Sequence, residues 1–296
     1  MTKEAITAWF VDLQDRICKE LELTDGKGTF KEDAWERQGG GGGKTRIIEN
    51  GSQIERGGVN FSAVHGTTPK NILDALNLSA CDFYATGVSI VMHPHSPMVP
   101  IIHMNVRYFE MSNGISWFGG GIDLTPHYIN KKDAGYFHSQ LKKICDRHHY
   151  GYYPEFKTWA DDYFYLPHRN ETRGIGGIFF DKLSANEEFT LKQRFAFVQD
   201  VGNNFAPIYS HFLNKNGKIA FGEREKAWQM LRRGRYVEFN LVWDKGTKFG
   251  LDTSGRTESI LMSLPPQANW QYNFQPDKDS PEEKTLSLLK KGLNWI

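Results

Sequence analysis

The chain has 296 residues, of which 39% are hydrophobic and 14% are aromatic, and its formal net charge is +1. A charge balance this close to neutral argues against a broad nucleic-acid-binding surface, which needs clustered excess lysine and arginine. No apolar run approaches the roughly 18 residues of a membrane span, so a transmembrane segment is not expected.

Sequence-wide features also predict the location and the domain organisation. Cys18, Cys81 and Cys145 form no CxxC motif, and an odd number of cysteines suits a reducing compartment. The N-terminal segment carries acidic residues within a helical pattern, which is not typical of signal or transit peptides. We therefore expect a cytoplasmic protein. No linker, charge block or repeat divides the chain, so residues 1–296 are expected to form a single domain.

Residues 3–23 predict a helix, because their large apolar side chains recur on one helical face. The glycine run Gly39–Gly43, followed by Lys44 and Thr45, looks like a phosphate-binding loop. However, its spacing is wrong, no strand precedes it and no helix follows it. We interpret the run as a mobile flap, or as a point where the backbone approaches a ligand closely.

Two local signals follow the glycine run. The pair Asn50-Gly51 predicts a hairpin turn between short strands on either side of it. Thr68 and Pro69 predict the start of a short helix that ends near Leu76, with threonine as its cap and proline in its first turn.

Alternation of apolar and polar residues predicts several strands in the rest of the chain. Asn113-Gly114 is a second hairpin signal, so neighbouring strands are expected to be antiparallel. The predicted strands cover residues 87–93, 102–107, 115–118, 175–180, 236–244 and 257–263. The predicted helices cover residues 131–149, 186–213 and 222–233, and a last helix starts from the Ser280-Pro281 cap. Together these elements indicate an α+β fold with a large, mainly antiparallel β-sheet flanked by α-helices on both sides.

The stretch from Lys157 to Asp181 is rich in aromatic residues, arginine and glycine. Pro167 ends any helix before it, because the residue that precedes a proline is disfavoured in the α region. We interpret Arg169, Glu171 and Arg173 as ordinary ion-pairing residues of a loop that leads into a core strand.

Three of the predicted strands have unusual polar faces. Antiparallel sheets often have one solvated face, so a single strand of this kind would be ordinary. Three strands that combine imidazoles, amides, a guanidinium and carboxylates instead indicate the polar floor of a pocket. The residues on these faces are Ser89, His93, His103, Asn105, Arg107, Glu238, Asn240 and Asp244.

The residue types around this pocket predict the chemistry of its ligand. Arg107 and Arg256 suit an anionic ligand, whereas Asp123 and Asp244 suit a ligand with N–H donors or positive charge. No dinucleotide fingerprint and no nucleophile elbow occurs. Ten histidines allow a metal site, but without an HExxH or Cys/His motif their spacing supports one only weakly.

Several long segments resemble, in the right order, the motifs of oxygen-dependent coproporphyrinogen oxidases. They are residues 103–107, 117–126, 157–181, 234–244 and 255–263, and the resemblance runs from about residue 5 to the C-terminus. Ala160 departs from the pattern, since many members have cysteine there. The resemblance implies oxidative decarboxylation of two propionate groups of coproporphyrinogen III to vinyl groups, which gives protoporphyrinogen IX. It further implies molecular oxygen as co-substrate, no organic cofactor, and a homodimer formed through the segment Tyr236–Gln271.

The resemblance also implies roles for individual residues. His103 matches a proton donor, and Asp244, together with Asp123, is expected to bind the pyrrole N–H groups and assist their deprotonation. Arg107 and Arg256 are expected to hold propionates. Further positions that match substrate contacts are Ser89, Asn105, Val106, Ser254 and Gly255. Positions that match metal ligands proposed for bacterial members are His93, His103, His138 and His168, which leaves a divalent metal as an open expectation.

Two other classes of protein stay open at this point. A histidine-liganded metal oxygenase would bind iron or manganese stoichiometrically and would consume oxygen without porphyrinogen. A non-catalytic tetrapyrrole-binding protein would bind porphyrin tightly and would form no vinyl product.

Overall fold

An antiparallel sheet of seven strands forms the centre of the structure, a computed structural model that describes residues 1–68, 73, 80–252 and 255–296. In spatial order its strands are β1 (Lys31–Glu36), β2 (Gly41–Glu49), β3 (Ile54–Thr67), β4 (Asp82–Pro94), β5 (Ile101–Met111), β6 (Ser116–Thr125) and β9 (Gly177–Leu183). A separate ribbon pairs β7 (Tyr165–Leu166) with β8 (Glu171–Thr172). The predicted hairpins at Asn50 and Asn113 are confirmed. The helix predicted after Thr68 falls on residues outside the described ranges.

Helices cover both faces of the sheet, as predicted. They are α1 (Lys3–Asp25), α2 (Lys131–Asp146), α3 (Tyr152–Tyr163), α4 (Leu191–Asn216), α5 (Glu223–Glu238), a π-helix (Phe239–Trp243), α6 (Lys245–Asp252), α7 (Thr257–Leu261) and α8 (Pro281–Ser287). Helices α1 and α4 pack on one face. Helices α5 and α7 contact the other face through Tyr236 and Ser259. None of the helices in the described part of the chain has both the length and the hydrophobicity to cross a bilayer.

The main hydrophobic core lies between the sheet and helices α1 and α4. Val88 and Ile90 of β4 and Val106 of β5 are fully buried there, together with Phe10 of α1 and Phe197 of α4. Successive strand residues point to opposite faces of a sheet. Burying this apolar set therefore turns the intervening, mostly polar residues toward the second face.

Two predicted strands near the C-terminus are wrong. Over residues 236–244, α5 continues through Glu238 and passes directly into the π-helix. No proline interrupts this run, and Gly234 is accommodated within α5 because the carbonyl of Asn269 leaves no room for a side chain. The apolar alternation in this segment therefore reflects contacts made by a helix. Residues 257–263 likewise contain the short helix α7.

The other predicted helices are confirmed with shifted ends. Helix α4 begins at Leu191, because Thr190 accepts from the Gln193 N–H and the Gln193 side chain accepts from the Thr190 N–H. Helix α8 begins after its Ser280 cap. The stretch 157–181 starts inside α3, which ends before Pro167 as predicted.

The glycine run is part of a strand and not a mobile flap. Gly41, Gly42 and Gly43 lie in β2, between β1 and β3. A side chain at Gly42 would collide with the carbonyl of Trp35 on β1. The sequence indicated a close approach to a ligand, whereas the approach seen in the structure is to a neighbouring strand.

The turn that joins β2 to β3 is organised by one carboxylate at the end of α1. Asp25 is buried and accepts hydrogen bonds from the backbone N–H groups of Gly28, Ser52, Gln53 and Ile54 at 2.7–2.8 Å. Burial acts to raise the pKa of Asp25, but these backbone bonds hold it below its usual range. The ionised carboxylate thus joins α1 to the sheet.

We expect Asp25→Asn to lower the free energy of unfolding at pH 7 by about 2–4 kcal/mol, because an amide cannot replace a charged acceptor of several N–H groups. A lowered folded-state pKa stabilises the fold above the unfolded pKa, and this contribution is lost as the pH falls through the folded value. The difference between wild type and variant should therefore narrow below about pH 4. Urea unfolding at several pH values measures it.

The matched control is Asp12→Asn, which removes an exposed carboxylate from the same helix. Its unfolding free energy should stay within about 0.5 kcal/mol of wild type. Equal stability of Asp25→Asn and Asp12→Asn at pH 7 would contradict the role of Asp25.

Candidate active site

Rows of residues cross the sheet on the face that α1 and α4 leave free. The strand register aligns each row across β3, β4, β5 and β6. The rows are Ser62, Gly87, Arg107 and Gly119; Asn60, Ser89, Asn105 and Gly121; and Gly58, Val91, His103 and Asp123. Glycine occupies at least one position of every row, so the face is low and flat between its polar side chains. The predicted polar faces of β4 and β5 thus lie side by side.

Arg107 is held on this face by two neighbouring side chains. Its Nη1 donates to Asn105 Oδ1 at 2.8 Å, and its Nη2 donates to Asp181 Oδ1 of β9 at 2.9 Å. A side chain at Gly119 would collide with this pair. Because 38% of the Arg107 side chain is exposed, further N–H donors remain for an anionic ligand. Sequence reasoning missed Asp181, since no local spacing links it to Arg107.

His103 and Asp123 face each other across β5 and β6. His103 Nδ1 lies 2.8 Å from Asp123 Oδ1, and Arg173 donates to the same carboxylate. Burial alone would raise the pKa of Asp123, but the charge of Arg173 and the His103 hydrogen bond hold it below its usual range. An ionised carboxylate only accepts hydrogen bonds, so His103 Nδ1 carries a hydrogen.

Arg173 lies beside the candidate site, although its sequence context indicates only an ordinary ion-pairing residue. It is buried, and its guanidinium lies 4.5–4.7 Å from the ring centroids of Phe164, Tyr236 and Phe239. Besides Asp123 it binds Asn240 in the π-helix. The aromatic-rich composition of the stretch around it was the sequence signal that could have indicated a buried cation.

Asp244 lies where the π-helix ends and α6 begins. Its Oδ2 accepts from the backbone N–H and from the hydroxyl of Thr247, each at 2.7 Å, in the manner of an N-cap. Its Oδ1 accepts from the Tyr163 hydroxyl at 2.8 Å. Burial raises the pKa of Asp244, but the hydrogen bonds from Thr247 and Tyr163 bring it below the usual range. The carboxylate is therefore ionised at neutral pH.

The remaining predicted contact residues lie in different places. Arg256 donates to Asp33 on the edge strand β1, and Gly255 precedes α7. Val106 is fully buried in the main core, so its side chain cannot reach a ligand on the second face. Ser254 lies outside the described residues.

The four histidines that match proposed metal ligands lie on different elements and do not converge. His138 of α2 is in the core, where Nδ1 bonds the Tyr153 hydroxyl and Nε2 bonds the Ile175 carbonyl. His93 of β4 is also buried, and its Nε2 donates to the carbonyl of Ser263. The side chain of His138 therefore serves the packing of the fold, whereas Nδ1 of His93 is buried without a hydrogen-bond partner.

His168 lies in the turn between β7 and β8. Its Nδ1 accepts from the Trp243 indole N–H and its Nε2 donates to Glu238, both at 2.8 Å. Glu238 also binds Arg169, and although its burial opposes ionisation these partners lower its pKa to about 2. Glu238 therefore belongs to this ion-pair cluster and not to a strand face shared with Asn240.

The histidines named above do not fit a shared metal site. Both ring nitrogens of His138 and both ring nitrogens of His168 already have hydrogen-bond partners. Among the residues that the structure describes, no three or more His, Cys, Asp or Glu side chains are grouped so that they could hold a metal ion.

We expect exhaustive chelation to leave the melting temperature within about 1 °C of its starting value, because the described residues form no group of side chains that could hold a fold-stabilising metal. Elemental analysis of the protein before and after dialysis is the companion measurement. A stoichiometric metal, whose removal lowers the melting temperature and whose return restores it, would contradict the arrangement of these histidines.

A comparison of the sequence with protein families is consistent with this α+β fold. The family model described as coproporphyrinogen III oxidase matches residues 5–295. Members of this family use oxygen, without an organic cofactor, to decarboxylate coproporphyrinogen III oxidatively to protoporphyrinogen IX in haem biosynthesis. The match confirms the resemblance seen in the sequence motifs. The chain therefore belongs to the coproporphyrinogen III oxidase family, and it is an oxidoreductase of that kind.

Proposed function

We propose that coproporphyrinogen III binds with one face of its macrocycle against the glycine-lined rows of the sheet. The observation that carries this proposal is the alternation of His103, Asn105 and Arg107 along β5, which brings all three to the polar face. A broad ring with an acidic rim matches a flat floor that carries a guanidinium. In this arrangement Arg107 binds one propionate carboxylate.

Arg256 is our candidate for a second propionate. It is supported by the position of α7, whose Ser259 hydroxyl contacts Thr45 beside the polar rows at 2.7 Å. Arg256 already pairs with Asp33, so a propionate has to share Arg256 with that carboxylate or displace it. Ser89 of β4 and Asn105 of β5 are paired across the two strands and complete the polar floor.

For His103 we propose proton transfer through Nε2. Asp123 engages Nδ1, and the side chain is 20% exposed on the polar face, so Nε2 is the nitrogen that a ligand can reach. The Asp123 side chain is only 1% exposed, and its two oxygens bind Arg173 and His103. We therefore assign Asp123 to orienting His103 and no longer to a direct contact with the pyrrole N–H groups.

We assign the binding of the pyrrole N–H groups to Asp244. Its low pKa keeps it ionised, and an ionised carboxylate both accepts N–H hydrogen bonds and stabilises nearby positive charge. Such charge develops when the electron-rich ring gives electrons to oxygen. Asp244 then assists loss of the pyrrole N–H proton.

We expect Asp244→Asn and His103→Gln each to lower kcat by about 100-fold or more, the usual cost of losing a positioned acid or base. Asparagine caps helices as well as aspartate does, so Asp244→Asn keeps the start of α6 intact. Asp252→Asn, which removes another carboxylate from α6, should retain the wild-type rate. The measurement is chromatographic separation of products from coproporphyrinogen III, with and without oxygen.

The outcomes of this experiment separate the alternatives. Wild-type turnover by Asp244→Asn would exclude Asp244 as the base. Tight porphyrin binding by the wild-type protein without any vinyl product would favour a non-catalytic tetrapyrrole-binding protein. Oxygen uptake without porphyrinogen, together with tightly bound iron or manganese, would favour a metal oxygenase.

We also propose a homodimer formed through the segment Tyr236–Gln271. The family resemblance supports it, and so does the number of large apolar side chains that this segment exposes. They include Leu241, Val242, Trp243, Leu251 and Trp270. Apolar and aromatic residues of this kind are enriched at the centres of protein interfaces.

Light scattering of the wild-type protein should give about twice the chain mass of 33.9 kDa, because a homodimer buries this apolar surface. The double variant Leu241→Asp with Val242→Asp should give the mass of one chain. Leu23→Asp, which changes an exposed leucine of α1, is the control and should remain dimeric. A wild-type monomer, or a dimeric double variant, would exclude this interface.

A single domain and a cytoplasmic location complete the proposal. One domain over residues 1–296 is supported by a core that includes α1 and extends to Trp295. A reducing compartment is supported by Cys18, Cys81 and Cys145, which are free thiols.

A further inference from the structure

We propose that Arg173 is a positioning residue for the reaction, which fixes the Asp123–His103 pair and the segment leading to Asp244 relative to each other. The inference rests on the roles proposed above for His103 and Asp244. In this role one buried guanidinium links groups of the sheet to groups of the helical layer.

The first observation is the burial of the Arg173 charge. The side chain is 3% exposed, and its guanidinium lies over the rings of Phe164, Tyr236 and Phe239. Aromatic rings attract a cation but do not replace its hydration completely. A charge that is so well shielded from water needs an opposite charge in fixed geometry, and Asp123, at 1% exposure, supplies it.

The second observation is the two-pronged contact with Asp123. Arg173 Nη2 donates to Oδ1 at 2.7 Å, and Nε donates to Oδ2 at 3.2 Å. A planar fork that binds both oxygens fixes the plane of the carboxylate. Oδ1 accepts from His103 Nδ1 as well, and the Arg173 Nη2 and His103 Nδ1 atoms lie 3.5 Å apart. The carboxylate therefore holds the imidazole in the tautomer that leaves Nε2 unprotonated when the ring is neutral.

The third observation is the contact made by Nη1, the guanidinium nitrogen that does not bind Asp123. Arg173 Nη1 donates to Asn240 Oδ1 at 2.9 Å, and Asn240 Nδ2 donates to Ser263 Oγ at 3.3 Å. Asn240 belongs to the π-helix, a type of helix that often occurs at functional sites. The backbone N–H of Asp244 closes this helix on the carbonyl of Phe239 at 2.9 Å. Arg173 thus holds the turn that delivers Asp244.

These contacts require a guanidinium. An ammonium group has the same charge but no planar fork, so it cannot bind both oxygens of Asp123 and also reach Asn240 in the same geometry. Arg173→Lys therefore keeps the buried charge but holds Asp123 and Asn240 less firmly in place. Arg173→Met removes the charge as well and keeps a side chain of similar length.

The experiment compares kcat and KM of Arg173→Lys and Arg173→Met with wild type. We expect kcat to fall about 10-fold for lysine and about 100-fold for methionine, while KM stays within about threefold, because the substrate contacts themselves remain. Arg169→Lys is the matched control. This nearby arginine binds Glu238 with a similar fork but is exposed, and its variant should have the wild-type kcat.

A spectroscopic measurement separates positioning from mere loss of stability. Nitrogen NMR of labelled histidine should show His103 as a single Nδ1–H tautomer in the wild-type protein and as a mixture in both Arg173 variants. The double variant Arg173→Met with Asp123→Asn leaves no buried charge unpaired, so it should fold at the wild-type melting temperature and remain slow.

Each outcome decides a separate question. A wild-type kcat and an unchanged His103 signal in Arg173→Lys would overturn the proposal, as would a wild-type kcat in the double variant. A wild-type rate in His103→Gln would instead overturn the proposed role of His103. In that case the NMR signal still shows whether Arg173 positions the imidazole.

Discussion

The two-residue repeat of a β-strand is the constraint on which the rest of the structure depends. In β4 and β5 it assigns Val88, Ile90 and Val106 to the core beneath α1 and α4. The residues between them must then face the other way, which brings His103 and Arg107 onto one surface. A shift of one residue in register would bury the charges and expose the core. The packing that stabilises the fold therefore also orients the candidate site.

Local signals in the sequence were sufficient for much of this fold and for part of the site. The hairpins at Asn50 and Asn113, the helix cap at Ser280 and the alternation in β4 and β5 depend on neighbouring residues, and the structure confirms them. The polar faces of β4 and β5 lie side by side through that same alternation. These predictions hold because strand and cap geometry is decided within a few residues.

The predictions that failed concern contacts between distant segments. Residues 236–244 alternate like a strand, but their partners come from the loop before β9, and the segment continues a helix. The sequence around Arg173 indicates an ordinary ion-pairing residue, because Asp123 and the rings of Tyr236 and Phe239 lie far from it along the chain. Asp181 reaches Arg107 across the sheet. In each of these cases the deciding contact joins segments that are far apart in the sequence, and for residues 236–244 the tertiary context overrides the local pattern.

The cap that Asp244 forms on α6 has a consequence for how long this carboxylate can hold a proton. The hydrogen bonds from Thr247 and Tyr163 favour its charged form, and by thermodynamic linkage protonation weakens the same bonds. In the role proposed for Asp244, a proton taken from the substrate therefore works against the start of the helix. Release of that proton to solvent restores the cap, so the hydrogen bonds that begin α6 favour an Asp244 that is charged again before the next propionate reacts.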